Sequence, residues 1–398
     1  MYILVVNAGS SSLKYQLVDK DTQTLVSKGL CEKVGSSDSF HRHGIDNDEK
    51  VIGVYLNNHY DAIKTVLDTL LDSRQGVLES LEEIVAIGHR VVHGGEYFNQ
   101  SVIIDDEVIA RIDECSPLAP LHNPPSLMGI AACRELMPHA LQVAVFDTAF
   151  HQTLPPKAYM YPLPYEMYEK HRVRKYGFHG TSHRYISQRA AAILERPLEE
   201  LKLITCHLGN GCSVTAIDGG ISVDTSMGFT PLEGLMMGTR CGSIDPAIVV
   251  YLVNALGMTL DEVEDMMNRH SGLLGVSGLS NDLRDIRSAT EAGHERATLA
   301  YEMYSNSVKR YIGQYVFAMA GVDAIVLTAG VGENCDRMRR MIFAGLEPVG
   351  ILLDQEKNLL RGFERVISSD DSRVKIIVIP TNEELMIVQD VSRLLSTI

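Results

Sequence analysis

Residues 4–19, LVVNAGSSSLKYQLVD, and residues 203–218, LITCHLGNGCSVTAID, share one pattern half a chain apart. Each is an apolar strand, a turn of Gly with Asn or Ser, a second apolar strand and a closing Asp. Two hairpins of this kind read as one ancestral unit used twice, which constrains the fold more than any single motif. Glycine lets the backbone bend and approach a ligand closely, and the exposed N–H groups and Ser hydroxyls of such a turn suit phosphate oxygens. The alternative is two ordinary tight hairpins, since Gly, Asn and Ser are the usual turn residues. The repetition favours the first reading.

With 398 residues the chain is long enough for two domains, each with its own core. Its 36 Lys and Arg against 51 Asp and Glu leave a formal charge of -15. That balance disfavours nonspecific binding to nucleic acid or to anionic lipid. Any anionic ligand must therefore be met by local positive groups. The amino terminus has no basic leader and no segment is apolar for long enough to span a bilayer, so a cytoplasmic protein is expected. Seven Cys, with no C-x-x-C pair, form neither a disulfide framework nor a zinc ribbon and are expected as reduced thiols.

Four apolar runs lead into polar or Gly-rich junctions: residues 84–87 into Gly88-His89-Arg90, 141–146 into Asp147, 324–328 into 329–334, and 374–379 into 380–383. Continuous apolar strands alternating with helical segments predict mixed sheets covered on both faces, with ligands at the carboxyl ends of the strands. Pro155, Pro156, Pro162 and Pro164 exclude regular helix or central strand over 151–164, and the domain crossover is expected near there. Leu385, Val388, Val391 and Leu395 predict a final amphipathic helix. Thr381 and Glu384 fit a capping box at its start, which would leave Glu383 as the carboxylate free for chemistry.

The chain has no Walker A loop, no GxGxxG, no GxSxG and no HExxH. His89 with His93 and His179 with His183 have the i,i+4 spacing of zinc ligands, but the glycines crowding both pairs oppose the continuous helix that such ligation needs. Arg90 and Arg240 each lie among glycines, outside any helix-surface charge pattern. A guanidinium held this way suits carboxylate or phosphate oxygens, with plain surface solvation as the alternative.

Taken together, Asn7-Ala8-Gly9-Ser10-Ser11-Ser12-Leu13-Lys14, Phe146-Asp147-Thr148, Gly177-Phe178-His179-Gly180-Thr181-Ser182-His183, His207-Leu208-Gly209-Asn210-Gly211, Asp224-Thr225-Ser226-Met227-Gly228, Thr230-Pro231-Leu232-Glu233-Gly234, Gly238-Thr239-Arg240, Gly330-Val331-Gly332-Glu333-Asn334 and Pro380-Thr381-Asn382-Glu383-Glu384 resemble the acetate and propionate kinase family over nearly the whole chain. The resemblance implies an α/β, duplicated actin-like ATPase (ribonuclease H-like) fold. It implies a first domain of residues 1–148 plus 383–398 on the acyl and phosphate side, and a second of 149–382 on the nucleotide side. The activity it implies is reversible Mg²⁺-dependent phosphoryl transfer between ATP and acetate, giving ADP and acetyl phosphate, in a homodimer; Mn²⁺ can substitute.

By the same resemblance Asn7 and Glu383 lie near the metal, and Ser10, Ser12 and Lys14 near the phosphates. Arg90 and Arg240 flank the transferring group with His179, and Asp147 is catalytic. His207, Leu208, Gly209, Asn210 and Gly211, with Asp282, Leu283 and Arg284 and with Gly330, Val331, Gly332, Glu333 and Asn334, contact the nucleotide. Arg90, Val92, Leu121, Phe178 and Pro231 shape the acetate site. Acetate is already ionised at neutral pH and needs no base, so Asp147 is expected to organise Arg90 or metal-bound water. The rival readings are a propionate kinase of the same family and a non-catalytic actin-like nucleotide switch.

Overall fold

The structure, a computed structural model, describes residues 1–45, 48–74 and 76–397. The chain forms two compact units, Met1–Gln152 with Asn382–Ile398, and Thr153–Thr381. These boundaries lie a few residues from those read in the sequence. The turn at Ala149–Thr153 follows the strand Leu141–Phe146 and stays mostly with the first unit, and Asn382 goes with the helix it caps.

The first unit has one eight-stranded sheet, ordered β5-β4-β3-β2-β1-β6-β8-β7. Its strands are β1 (Tyr2–Ala8), β2 (Ser12–Asp19), β3 (Leu25–Glu32), β4 (Phe40–Ile45), β5 (Asp48–Gly53), β6 (Ile84–Val91), β7 (Val102–Ile103) and β8 (Leu141–Phe146). The second unit has a six-stranded sheet, ordered β11-β10-β9-β12-β14-β13. These are β9 (Lys202–Leu208), β10 (Cys212–Asp218), β11 (Ile221–Thr225), β12 (Ala324–Thr328), β13 (Arg365–Val366) and β14 (Lys375–Val378). In each, a hairpin pairs antiparallel, its first strand pairs parallel with the next long strand, and that strand pairs parallel with another: β2-β1-β6-β8 and β10-β9-β12-β14. The antiparallel edges β7 and β13 complete the match. The repeated hairpin is thus the seed of a duplicated mixed sheet, and the four apolar runs are β6, β8, β12 and β14.

Both faces of the first sheet are covered, as continuous apolar strands require. Leu4, Val6, Leu13 and Leu17 face one side and pack with Ile63, Val66 and Leu67 of the helix His59–Leu70 and with Ala132 and Cys133 of Asn123–Leu136. On the other side Ile3, Val5, Val143 and Val145 pack with Ile387, Val388 and Val391 of the terminal helix Glu383–Leu395. Each such aliphatic side chain contributes about 1.5–3 kcal/mol by burial. The approach depends on Gly88, where a Cβ would lie 2.4 Å from Ile387 Cγ2. Close packing there carries the start of the helix, and Glu383 with it, toward the strand that bears Arg90.

Two local expectations need correction. The terminal helix is capped by Asn382, whose side chain accepts from the Leu385 N–H at 3.0 Å, and not by Thr381. Thr381 instead donates its N–H to the Glu333 carboxylate at 3.1 Å, and its hydroxyl meets Ser182 Oγ at 3.1 Å, so it serves the loop packing of its own unit. The Pro-rich stretch also contains one helical turn, Pro156–Tyr159, because Pro at the first helical position lacks only an N–H that would go unpaired anyway.

Candidate active site

In the first unit the site residues gather at the carboxyl ends of β1, β6 and β8. Asn7 at the end of β1 pairs across the hairpin with Lys14, and Ser10 and Ser12 stand at the turn, closed by Gly9 N–H donating to the Ser12 carbonyl at 2.8 Å. On β6, Arg90 grips Asp147 with two prongs, Nε to Oδ1 at 3.0 Å and Nη2 to Oδ2 at 2.6 Å. Asp147 is buried and fixed in turn by its N–H on the Val91 carbonyl at 3.0 Å. Burial opposes the Arg90 charge, but Asp147 and then Glu383 outweigh it and hold the guanidinium above its ordinary range. Glu383, in the first turn of the terminal helix, is raised above the usual carboxylate range by burial and by Asp147, against the pull of Arg90 and Lys14. Two carboxylates, Asp147 and Glu383, thus face one guanidinium and the Lys14 ammonium, and Glu383 offers hard oxygen donors that suit a cation such as Mg²⁺. Asn7, Lys14 and Glu384 also line a groove of about 340 Å³ on the sheet beside that helix.

Neither i,i+4 histidine pair lies together on one helix. His89 is on a strand and bonds Gln142 at 2.9 Å; burial lowers both His89 and His93, to about 4 and about 3. His179 is the residue before the helix Gly180–Leu194, in left-handed backbone at φ 56°, and His183 is in the first turn. Both rings turn to a buried Ser213: its Oγ is 2.8 Å from His179 Nδ1 and 2.7 Å from His183 Nε2. His179 stacks on His207 with ring centroids 4.2 Å apart. His207 Nδ1 meets Ser182 Oγ at 2.8 Å.

Arg240 differs sharply from Arg90. Half-buried, it reaches only the Pro231 carbonyl at 3.4 Å and Met237 Sδ at 3.8 Å, and no carboxylate pairs with it among the described residues. Burial pulls it below its ordinary range. A Cβ placed on Gly211 would lie 3.5 Å from Arg240 Nη1 and 3.6 Å from His179 Nε2, so the guanidinium and the imidazole converge on one point at the hairpin turn. A partly desolvated cation with no carboxylate partner, beside an imidazole edge, has the chemistry that suits an anion.

The three expected nucleotide segments of the second unit meet in one pocket of about 600 Å³. Gly209 and Asn210, Asp282, Leu283 and Arg284, and Gly330, Val331 and Asn334 line it. Asp282 caps the helix Leu283–Glu291 and binds Arg284 through both oxygens. Ala329, before Gly330, takes left-handed backbone at φ 63°, a strain typical of functional turns. Leu208 is core, Glu333 turns to Thr381, and neither they nor His207, Gly211 and Gly332 line the pocket. Leu273, Asn281, Arg287, Cys335 and Arg361 line it without having been read from the sequence. Asn281 and Cys335 adjoin recognised segments, which is a usable signal; Arg287 and Arg361 carry none and are placed by a shared Asp336, at 3.6 and 3.5 Å. Of the acetate residues, half-buried Val92 and exposed Leu121 belong to the first unit, and buried Phe178 and half-buried Pro231 to the second.

The model of the acetokinase family matches residues 2–389. The acetate kinase of Caldanaerobacter subterraneus subsp. tengcongensis is 58% identical over 100% of both chains. The crystal structure of Porphyromonas gingivalis acetate kinase superposes with a TM-score of 0.96 at 47% identity, covering 99% of each chain. That of a propionate kinase from Francisella tularensis gives 0.92 at 43% identity over 98% of this chain and 99% of its own. Family match, full-length identity and superposition agree with the duplicated sheets and their Gly-rich turns: this chain belongs to the acetokinase family.

Proposed function

We propose that the chain catalyses reversible phosphoryl transfer between ATP and acetate, giving ADP and acetyl phosphate. The observation that carries this reading is the pair of unlike arginines. A nucleotide switch needs a phosphate pocket, but a second, half-buried guanidinium beside His179, with no carboxylate partner among the described residues, is what an anionic acceptor and an anionic phosphoryl group require together. Acetate attacks as the carboxylate, so no group need take a proton. The two-pronged bond to Arg90 supports Asp147 as the group that aims that guanidinium. Arg90, Arg240 and His179 then offset the charge of the transferring phosphoryl group, a contribution worth about a thousandfold in rate. Ser10, Ser12 and Lys14 meet phosphate oxygens; the 600 Å³ pocket takes the nucleoside; Val92, Leu121, Phe178 and Pro231 meet the acetate methyl.

Among the described residues no three His, Cys, Asp or Glu gather to hold a metal. Mg²⁺ suits the hard oxygen donors that are present, Asn7 and Glu383, because it keeps several waters and takes the rest of its shell from phosphates. Bound there it would screen the phosphate charge, and Mn²⁺ has the same donor preference. A homodimer is supported by the helix Ala247–Leu256, which buries none of its residues and exposes Ile248, Val250, Tyr251 and Leu256. Seven free thiols, five of them buried, fit the reducing cytoplasm. No helix among the described residues is long and apolar enough to cross a membrane.

The test is to trap acetyl phosphate as hydroxamate with ATP, Mg²⁺ and either acetate or propionate. Acetate is expected to give the higher kcat/KM. One methylene is worth about 1–3 kcal/mol of discrimination, so a preference for propionate by that margin would reassign the substrate within the family. ATP turnover with no hydroxamate from either acid would favour the switch.

A further inference from the structure

We infer that Ser213 is a positioning residue that sets the protonation of His179, through a relay of buried hydroxyl and imidazole groups ending at the Thr215 carbonyl. The inference rests on the proposed contact of His179 with the transferring phosphoryl group. Ser213 is fully buried, and its hydroxyl reaches His179 Nδ1 at 2.8 Å and His183 Nε2 at 2.7 Å. One hydroxyl proton lies between two ring nitrogens. The arrangement that leaves no proton unpartnered has one ring donating to Ser213 and the other accepting from it.

Which ring donates is set at the far end. His183 Nδ1 is 2.7 Å from Thr205 Oγ1, and Thr205 Oγ1 donates to the Thr215 carbonyl at 3.5 Å. A carbonyl only accepts, so Thr205 gives its proton there and accepts from His183 Nδ1–H. His183 Nε2 is then bare and takes the Ser213 proton, and Ser213 accepts from His179 Nδ1–H. His179 Nε2 is the ring nitrogen nearer Gly211, 3.6 Å from a Cβ placed there, and it can carry a proton without any change in the relay. In that charged state it donates to an anion alongside the guanidinium. The ring cannot turn away easily, since one edge is tied to Ser213 and one face is stacked on His207.

The duplication isolates this assignment. Ser213 pairs with His207 across β9 and β10 as Lys14 pairs with Asn7 across β1 and β2. The same place on the scaffold holds a cation in one unit and, in the other, a hydroxyl that supports a neighbouring imidazole.

The test uses the full-length protein, its histidines labelled with nitrogen-15, and steady-state kinetics. Nitrogen–proton correlation spectra are expected to show His183 with its proton on Nδ1, and His179 with a proton on Nδ1 in every ionisation state. A neutral His179 protonated only on Nε2 would overturn the relay whatever the kinetics. Ser213→Ala is expected to lower kcat about tenfold to a hundredfold, the scale of a misplaced contact, with KM for acetate and ATP changed less than about twofold, and Ser213→Thr should recover most of it. Added to His179→Ala, Ser213→Ala should have no further effect; a further loss would mean an independent structural role and would overturn the proposal. Should Ser213→Ala not fold, Thr205→Val removes the far acceptor and should show the same kcat loss and a mixed His183 tautomer; no change in either would overturn it. An unchanged kcat in His179→Ala, with the expected tautomers still seen, would instead show that the phosphoryl contact was misassigned.

Discussion

The two units share a strand order and differ in how they hold charge. At the ends of β1, β6 and β8 the first unit collects formal charges, Arg90, Asp147, Glu383 and Lys14, that offset one another. The second unit, at the same ends of the same scaffold, ties imidazoles and hydroxyls together through Ser213 and His183 and gives Arg240 no carboxylate partner among the described residues. Duplication supplied the geometry twice, and each copy was then filled with different chemistry. A compensated charge cluster resists reorganisation and suits orienting an acceptor and a metal. An uncompensated cation stores desolvation cost that an arriving anion relieves.

Breaking the two arginines should expose this contrast most strongly. Arg90→Ala and Arg240→Ala are each expected to lower kcat about a thousandfold. Their stabilities should part: Arg90→Ala abandons buried Asp147 and should cost about 3 kcal/mol, whereas Arg240→Ala removes an unpaired cation and should leave the unfolding free energy unchanged or higher. Denaturant titration beside the kinetics checks both; equal stability losses would erase the comparison. Next in size, Glu383→Ala should raise the Mg²⁺ concentration for half-maximal rate about tenfold to a hundredfold, measured by metal titration, with little change in the KM for acetate.

Smaller effects sharpen it further. Gly211→Ala adds a methyl at ordinary contact distance from both Arg240 and His179, so the fold should tolerate it, yet it fills the point where they converge. A loss of about tenfold in kcat with an unchanged melting temperature is expected, and an unchanged kcat would move the anion elsewhere. Smallest is the cap: Asn382→Ala should cost about 1 kcal/mol of stability and Thr381→Ala less; calorimetry of the two variants ranks them.

The long strands were legible because each is a continuous apolar run ending at a junction, and the duplication because its hairpins kept their pattern. Less legible was whatever depends on partners distant in sequence. Nothing around Arg240 announces that it lacks a carboxylate, and nothing around Arg361 announces that Asp336 draws it to a pocket. The glycines around His179 and His183 already argued against the zinc spacing, but their actual partner was not legible, because Ser213 is brought to both only by the strand pairing of β9 and β10. The cap was misread for a local reason: Thr381 fits the capping pattern, but the adjacent Asn382 also caps well, and the loop contacts of Thr381 with Glu333 and Ser182 decide between them.

The central claim is transfer of a phosphoryl group to a carboxylate oxygen, and isotope tracing tests it most directly. Acetate carrying oxygen-18 in both carboxyl positions is incubated with ATP, Mg²⁺ and hydroxylamine, and the phosphate released from trapped acetyl phosphate is analysed by mass. Hydroxylamine attacks the carbonyl carbon, so the bridging oxygen leaves with phosphorus. One labelled oxygen in each phosphate, matched one to one by hydroxamate, is the predicted result. Unlabelled phosphate accumulating without hydroxamate would mean that water is the acceptor, and would contradict the account.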